Sequence, residues 1–302
     1  MAKLRISIVQ YLNTAPLVRG FTHGPLRGKY DLSFTVPSQC AEALRSGAAD
    51  IAIIPAIEYQ RIEDLVVLPD LAIAAQQEVR SLLVIAKKPI AQARRIALDR
   101  SSRSTQALVK ILCAKHWKIA PEFTEAAPDP GAMLREADAA LLIGDPALRL
   151  ALQIEGAAER QPDGSVRCPA QAAGIGEGRE PRWNRGELFV YDIVQQWRSM
   201  TGLPAVLAFW AGRRAAVTPE VAADFQASRE YGVARIAEIA AEAADELHMP
   251  ADELDHYLRE NIDFTLGEEN RRGLALYYDY AAELGLIPRA KPVSWAAAWI
   301  RV

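Results

Sequence analysis

The segment Ile51-Ala-Ile-Ile-Pro-Ala-Ile-Glu-Tyr59 carries most of the information about the fold class. Its first four residues form an unbroken apolar run of strand length, and Pro55 then marks the expected start of a helix. Such a run is typical of a strand that is buried on both faces, as in a parallel sheet. The segment therefore predicts a buried strand that leads directly into a helix.

The same pattern recurs along the chain. Arg5–Val9 also reads as a strand, and the further apolar runs of strand length are Ser81–Ala86, Arg95–Leu98, Ala139–Ile143 and Ala205–Ala211. Because these runs alternate with helix signals, we expect an α/β architecture with mostly parallel sheets flanked by helices.

Turn and capping residues place several element ends. Ser38 is the predicted N-cap of a helix that ends before Gly47, and Thr218-Pro219 opens a helix predicted to reach about His248. Thr265-Leu-Gly-Glu268 reads as a capping box for a helix that stops at Gly285. The stretch 156–186 is rich in Gly, Pro and Arg and predicts a surface loop or hairpin, with its turn at Asp163-Gly164.

Composition excludes several classes of protein. A length of 302 residues favours roughly two domains. The net charge of -3, without a basic stripe, argues against a nucleic-acid partner. Three scattered cysteines and four histidines without ligand spacing predict neither disulfides nor a metal site. Neither a signal peptide nor an apolar run of about 20 residues is found, so we expect a cytoplasmic protein without a membrane partner.

Ligands of open α/β sheets bind beyond the carboxyl ends of the strands, which selects the candidate site residues. After the run Arg95–Leu98, a set of hydroxyl residues opens a helix, with Arg103 among them. The set consists of Ser101, Ser102, Ser104 and Thr105. A helix N-terminus with such donors suits a carboxylate or phosphate. Plain N-capping is the alternative, but it would need only one hydroxyl.

Other strand ends supply further candidates. Tyr11 and Asn13 follow the first strand, Glu58 lies at the start of a helix, and Gly144-Asp145 follows the run Ala139–Ile143. Each also has a structural explanation: Asn13 as a turn residue, Tyr11 in packing, Glu58 at the positive end of a helix, and Asp145 as an N-cap before Pro146.

Several segments, taken in order, resemble the chorismate dehydratases of the futalosine route to menaquinone. They are Val9-Gln-Tyr-Leu-Asn-Thr-Ala-Pro-Leu17, Ala49-Asp-Ile-Ala-Ile-Ile-Pro-Ala-Ile-Glu-Tyr59, Ile96-Ala-Leu-Asp-Arg-Ser-Ser-Arg-Ser-Thr105, Ala140-Leu-Leu-Ile-Gly-Asp-Pro-Ala-Leu148, Tyr191-Asp-Ile-Val-Gln-Gln-Trp197 and Thr201-Gly-Leu-Pro-Ala-Val-Leu-Ala-Phe-Trp210. Two features depart from the family: Gln195-Gln196 stands where an acidic pair is common, and the 156–186 insert is longer than usual.

The resemblance implies a two-lobed, type II periplasmic-binding-protein-like fold with a ligand cleft between the lobes. Residues 1–90 and 205–302 would form lobe I, residues 91–204 would form lobe II, and crossovers near 87–93 and 203–208 would join them. It also implies cofactor-free dehydration of chorismate to 3-[(1-carboxyvinyl)oxy]benzoate.

In that reading the four hydroxyl residues hold one substrate carboxylate, whereas Asn13 and Ser81 act as catalytic groups that orient the enolpyruvyl group or the departing hydroxyl. Tyr11, Arg103 and Gly144 would also contact the substrate. The substrate's own side-chain carboxylate could accept the proton, with Glu58 and Asp145 as alternatives.

Two other functions are compatible with the same sequence features. One is the related naphthoate-forming enzyme of the same pathway, and the other is a non-catalytic solute-binding protein for a small carboxylate. Fold alone does not separate them. The only partner that we expect is the small-molecule substrate, and the oligomeric state, monomer or homodimer, is left open.

Overall fold

The computed structural model describes residues 3–174 and 186–296, and the chain divides into two units. Unit 1 comprises Met1–Ala75 and Leu203–Val302, and unit 2 comprises Gln76–Gly202. The first lobe was expected to run to residue 90, but the strand at residues 82–86 belongs to the sheet of unit 2. The first crossover therefore lies near residue 75. None of the described helices combines the length and the apolar character that a membrane span requires.

The first 75 residues alternate strands and helices. In order these are β1 (Arg5–Val9), α1 (Ala15–Thr22), β2 (Asp31–Thr35), α2 (Pro37–Ser46), β3 (Ile51–Pro55), α3 (Ala56–Tyr59) and β4 (Leu65–Ala75). The predicted N-cap at Ser38 is wrong: Pro37 takes the first helical position, where its missing N–H costs nothing, so Val36 is the N-cap. Gly47 ends α2 in the left-handed conformation, as predicted.

Unit 2 continues the alternation and then adds a hairpin. Its elements are β5 (Leu82–Ala86), β6 (Arg95–Asp99), α4 (Arg103–Lys115), β7 (Glu122–Ala126), α5 (Pro130–Glu136), β8 (Ala139–Ile143), α6 (Gly144–Ile154), β9 (Glu159–Arg160), β10 (Val166–Pro169), β11 (Glu187–Asp192) and α7 (Ile193–Thr201). Strands β9 and β10 pair antiparallel around Gly164, which confirms the predicted hairpin turn.

The chain then returns to unit 1 with β12 (Ala205–Arg213), α8 (Pro219–Val233), α9 (Ile236–Leu247), α10 (Ala251–His256) and α11 (Glu268–Glu283). Thr218 caps α8 as predicted, but the helix does not reach His248. It ends at Val233, directly after Gly232, a residue that weakens a helix. The capping box at Thr265 is also wrong, because its hydroxyl donates to Asp263 and Gly267 is the N-cap of α11.

Each unit has one sheet, and both sheets are mixed. The strand orders are β2-β1-β3-β12-β4 in unit 1 and β7-β6-β8-β5-β11-β10-β9 in unit 2. Strand β1 is parallel to β2 and β3, and β6 is parallel to β7 and β8, whereas the other described pairs are antiparallel. The α/β class is confirmed, but the expectation of mostly parallel sheets is wrong. An unbroken apolar run reports burial on both faces and carries no information on strand direction.

The same device aligns the parallel strands of each unit. In unit 1, Asp50 precedes β3 and its carboxylate accepts from the amide of Arg5, the first residue of β1, at 2.8 Å. In unit 2, Asp138 precedes β8 and accepts from the amide of Arg95, the first residue of β6, at 3.2 Å. Both aspartates also donate their own amide to the carbonyl of that arginine. These clamps hold the amino ends of the strands in register, so their carboxyl ends share one edge.

Candidate functional site

In unit 1, the edge beyond β1 and β3 carries Asn13. The residue lies in a 3-10 turn, Leu12–Thr14, between β1 and α1, and it is 9% exposed. The Thr14 hydroxyl donates to Asn13 Oδ1 at 3.4 Å, which directs the carbonyl end of the amide toward Thr14. Within residues 3–174 and 186–296, no protein acceptor is bonded to Asn13 Nδ2. The N–H donors of Asn13 are not used within this turn, and a contact between them and a ligand stays a prediction.

Tyr11 closes the same turn through its backbone. Its carbonyl accepts from the amide of Thr14 at 3.0 Å, and its side chain is half-buried. This bond gives Tyr11 a structural role beside Asn13. A direct contact between its side chain and a substrate stays a prediction.

Glu58, on the same edge, is occupied by ion pairs within unit 1. The residue is fully buried in α3, Arg61 Nη1 lies 2.9 Å from its Oε1, and Arg45 Nη2 pairs with Oε2. Two arginines offset the charge of this buried carboxylate. Because the pairing accounts for Glu58 without a ligand, we leave it out of the substrate contacts proposed below.

In unit 2, sheet order brings the other candidate segments to one edge. Strands β6 and β8 end there, and β5, which is antiparallel to β8, begins there. The amide of Gly144, just after β8, donates to the carbonyl of Ser81, just before β5, at 2.8 Å. Ser81 is fully buried. The edge thus joins Ser81, Gly144 and the segment after β6.

The segment Ser101–Thr105, here termed the hydroxyl loop, leads into α4. Ser102 is the N-cap, and its Oγ accepts from the amide of Thr105 at 3.4 Å and lies 2.8 Å from Thr105 Oγ1. Ser104 is buried, and Arg103 is half-buried at the first helical position. One of the two hydroxyl hydrogens is used in the bond between Ser102 and Thr105. The pair therefore has only one hydroxyl hydrogen left to donate to a ligand. The loop therefore has fewer spare donors than the sequence suggested.

Asp99, the last residue of β6, is a polar group of this edge that sequence reasoning did not select. Its Oδ1 accepts from the amide of Ser101 at 2.9 Å and from the Ser101 hydroxyl at 2.6 Å. Its backbone carbonyl accepts from Gln106 Nε2 at 3.0 Å. Burial raises the pKa of Asp99, and the two bonds from Ser101 partly oppose this rise. An aspartate at a strand end, two positions before a serine, is the sequence signal that could have found it.

Asp145 is not the N-cap of α6 that the sequence predicted. Ile143 is the N-cap, and Asp145 lies within the first helical turn after Gly144. Pro146 is tolerated there because amides of the first turn have no intrahelical acceptor. A carboxylate in this turn is favoured by the helix dipole. Any contact between Asp145 and a substrate stays a prediction.

Unit 2 also contains a cavity of about 290 Å³ that is separate from the hydroxyl loop. Its apolar wall includes Leu83, Ile154 and Val190. Asp192 lines it and binds four backbone amides, those of Val79, Arg80, Val194 and Gln195, at 2.6–3.0 Å. Burial raises the pKa of Asp192 to about 6, and the amides oppose the rise. Its bonds join the segment before β5 to the start of α7, which is a structural role.

No metal site accompanies these groups. Among the residues described, no three or more His, Cys, Asp or Glu side chains are grouped as metal ligands. The chemistry that the edges can supply consists of amide and hydroxyl hydrogen bonds, the positive end of α4, and the buried carboxylate of Asp99.

Several known proteins are similar to this chain over most of its length. A family model described as menaquinone biosynthesis matches residues 4–161 and 169–283. A chorismate dehydratase from Thermus thermophilus is 28% identical over 284 residues, which cover 93% of this chain and 95% of that protein. The crystal structure of a protein from Archaeoglobus fulgidus superimposes on this chain with a TM-score of 0.68 and 19% identity. The match covers 94% of this chain and 98% of the Archaeoglobus chain. The periplasmic aliphatic sulphonate binding protein SsuA from Escherichia coli covers 99% and 95%, with a TM-score of 0.58 and 16% identity.

Proposed function

Because this chain belongs to the menaquinone-biosynthesis family, we propose that it is a chorismate dehydratase, which converts chorismate to 3-[(1-carboxyvinyl)oxy]benzoate and water. The observation that carries the proposal is the family match, which extends over most of the chain. The likeness to periplasmic binding proteins supports the expected fold, and enzymes and solute-binding proteins can share such a fold.

The reaction suits a site built from hydrogen-bond donors. Loss of the ring proton at C3 and the hydroxyl at C4 makes the ring aromatic, so the driving force comes from the substrate. The protein has to hold the reacting conformation and exclude water. In our proposal the substrate's own side-chain carboxylate accepts the proton, and no cofactor takes part.

We assign the substrate contacts from the two edges. The one hydroxyl hydrogen that the Ser102–Thr105 bond leaves unused, the Ser104 hydroxyl and the first amides of α4 would bind one carboxylate. The Nδ2 group of Asn13, with Ser81, would orient the enolpyruvyl group or the departing hydroxyl. Donors placed where charge develops account for large parts of many rate enhancements.

Incubation of the purified protein with chorismate alone tests the function. Mass spectrometry should show loss of one water, and ultraviolet absorbance should show the aromatic product. A solute-binding protein would return chorismate unchanged. The naphthoate-forming enzyme would also leave chorismate intact and act instead on cyclised futalosine, so that substrate should be run in parallel.

Two substitutions at Asn13 test its assigned role. Asn13→Asp keeps an oxygen toward Thr14 and removes the N–H donors, whereas Asn13→Ala removes both. We expect kcat to fall by about 10²–10³ in both variants, because a positioned donor typically contributes that factor. Steady-state kinetics by ultraviolet absorbance provides the measurement. Wild-type turnover in Asn13→Asp would remove the donor role.

The cellular location is a further part of the proposal. We expect the enzyme to act in the cytoplasm, as the family resemblance implies. Fractionation of cells that express the natural gene, with detection by a specific antibody, would test this. Recovery in an extracytoplasmic fraction would favour the solute-binding alternative.

A further inference from the structure

One local turn occurs at three aspartates in the described part of the chain. A carboxylate oxygen accepts from both the amide and the hydroxyl of the residue two positions later. The pairs, with their hydroxyl-to-carboxylate distances, are Asp99–Ser101 at 2.6 Å, Asp163–Ser165 at 2.7 Å and Asp263–Thr265 at 2.6 Å. This turn is a common backbone device, so its presence assigns no function.

Asp99 differs from Asp163 and Asp263 in the surroundings of its second carboxylate oxygen. Asp163 Oδ2 accepts from the Tyr191 hydroxyl at 3.3 Å, and Asp263 Oδ2 accepts from Asn270 Nδ2 at 2.8 Å. Asp99 Oδ2 is buried and makes no well-formed hydrogen bond among the described residues, although the backbone amide of Ile143 lies close enough to lower the pKa of the carboxyl, and Asp99 as a whole is 1% exposed. A buried carboxylate oxygen without a well-formed hydrogen bond is destabilising. The turn alone does not require this arrangement, which occurs at the strand end beside the hydroxyl loop.

The bond to Asp99 determines what Ser101 can offer a ligand. A separation of 2.6 Å between the two oxygens is typical of a hydroxyl that donates to an ionised carboxylate. Serine has a single hydroxyl hydrogen, and here it is directed at Asp99. The remaining lone pairs of Ser101 Oγ can only accept, and the buried charge behind them strengthens that acceptor. Ser101 keeps 9% exposure.

We propose that Ser101 accepts a hydrogen bond from the ring hydroxyl of the substrate, and that Asp99 is the positioning residue that holds Ser101 in this role. This inference rests on the proposed function, which supplies a substrate with one hydroxyl and two carboxylates. A carboxylate has no hydrogen to donate, so Ser101 does not belong with the carboxylate-binding members of the hydroxyl loop. It selects for the hydroxyl that will leave.

A comparison of two ligands tests the role of Ser101. The first is chorismate, followed by kcat/KM, and the second is its analogue with hydrogen in place of the ring hydroxyl, followed by its inhibition constant. Ser101→Ala should lower kcat/KM for chorismate about tenfold, the value of one hydrogen bond, and leave the inhibition constant of the analogue unchanged. Ser165→Ala, which breaks the matching turn in the β9–β10 hairpin, should alter neither. Equal weakening of both ligands, or of neither, overturns the inference.

Two variants of Asp99 test its positioning role and keep the inference testable if Ser101→Ala does not fold. In Asp99→Asn the amide oxygen can still accept both Ser101 donors, so selectivity for the hydroxylated ligand should persist. In Asp99→Ala the Ser101 hydroxyl can rotate, and about tenfold of that selectivity should be lost. Equal selectivity in both variants overturns the role of Asp99. If the wild-type protein does not dehydrate chorismate, the proposed function fails; dehydration without this selectivity removes only the inference.

Discussion

Ser102 combines two roles that substitution can separate. It caps α4 by accepting from the amide of Thr105, and we propose that it also contributes to carboxylate binding. Ser102→Ala should lower the free energy of unfolding by about 1 kcal/mol, as for other N-caps, and should also raise KM for chorismate. Urea unfolding and steady-state kinetics measure the two effects.

Thr218 provides the matched control for Ser102. It caps α8 in unit 1 by accepting from the amide of Val221 at 3.2 Å. Thr218→Ala should cost a similar free energy of unfolding and leave KM unchanged. An equal rise in KM in both variants would mean that Ser102 acts only through stability.

At the scale of single residues, the sequence predicted where the four hydroxyl residues lie but not the direction of their hydrogen bonds. The four hydroxyl residues at the start of a helix can be recognised from the amino-acid sequence. The structure shows that the Ser101 hydroxyl donates to Asp99 Oδ1 at 2.6 Å and that the hydroxyls of Ser102 and Thr105 are bonded to each other at 2.8 Å. Hydrogen-bond geometry of this kind is set by backbone dihedrals, which residue types only bias.

At the scale of helices and strands, the contact between α1 and α8 depends on Gly232. A Cβ at this position would lie 2.0 Å from the carbonyl oxygen of Pro16, a backbone atom that cannot move aside alone. Gly232→Ala should therefore lower the free energy of unfolding by about 3 kcal/mol, at the upper end of overpacking costs. Gly156→Ala is the control, because a Cβ there meets no atom within 4 Å. Thermal unfolding of both variants provides the test, and equal midpoints would contradict the packing.

Gln196 connects α7 to two other elements. It is 1% exposed, its Oε1 accepts from Trp117 Nε1 at 3.1 Å, and its Nε2 donates to the carbonyl of Asp163 at 3.1 Å. An amide accepts through its oxygen and donates through its nitrogen, whereas an ionised carboxylate can only accept. Gln196→Glu would set a buried oxygen against that carbonyl and should cost about 1–3 kcal/mol of unfolding free energy.

The neighbouring Gln195 gives the control for that substitution. Its side chain is half-buried in the first turn of α7, where an acidic residue is favoured by the helix dipole. Gln195→Glu should leave the urea midpoint within about 0.5 kcal/mol of wild type. If Gln196→Glu proves equally neutral, the described network does not stabilise the hairpin.

At the scale of the whole molecule, the strand clamps of both units predict acid sensitivity. The bidentate bond from Arg5 and its amide hold the pKa of Asp50 below its ordinary value of 3.8. Burial would raise the pKa of Asp138, but the amides of Arg94 and Arg95 and the ammonium of Lys88 lower it overall. A carboxyl with a lowered pKa in the folded state binds fewer protons there than when unfolded. Its stabilisation is present above pH 3.8 and is lost as the pH falls through the folded value.

The double variant Asp50→Asn, Asp138→Asn tests this clamp. It should be less stable than wild type at pH 7, and the difference should shrink as the pH falls below about 4. Urea unfolding at pH 7, 4 and 3 gives the comparison. A difference that stays constant across these pH values would show that the two carboxylates contribute no proton-linked stability.

The α/β class, most strand positions, the hairpin turn and the family could be predicted from the amino-acid sequence alone. Those features depend on local apolar runs, turn residues and the order of short motifs. Strand direction, the ion pair between Arg45 and Glu58, the burial of Asp99 and the hydrogen bonds of Gln196 were decided by tertiary structure. Each depends on which residues from elsewhere in the chain pack around a given atom, and hydrophobic pattern does not encode that pairing.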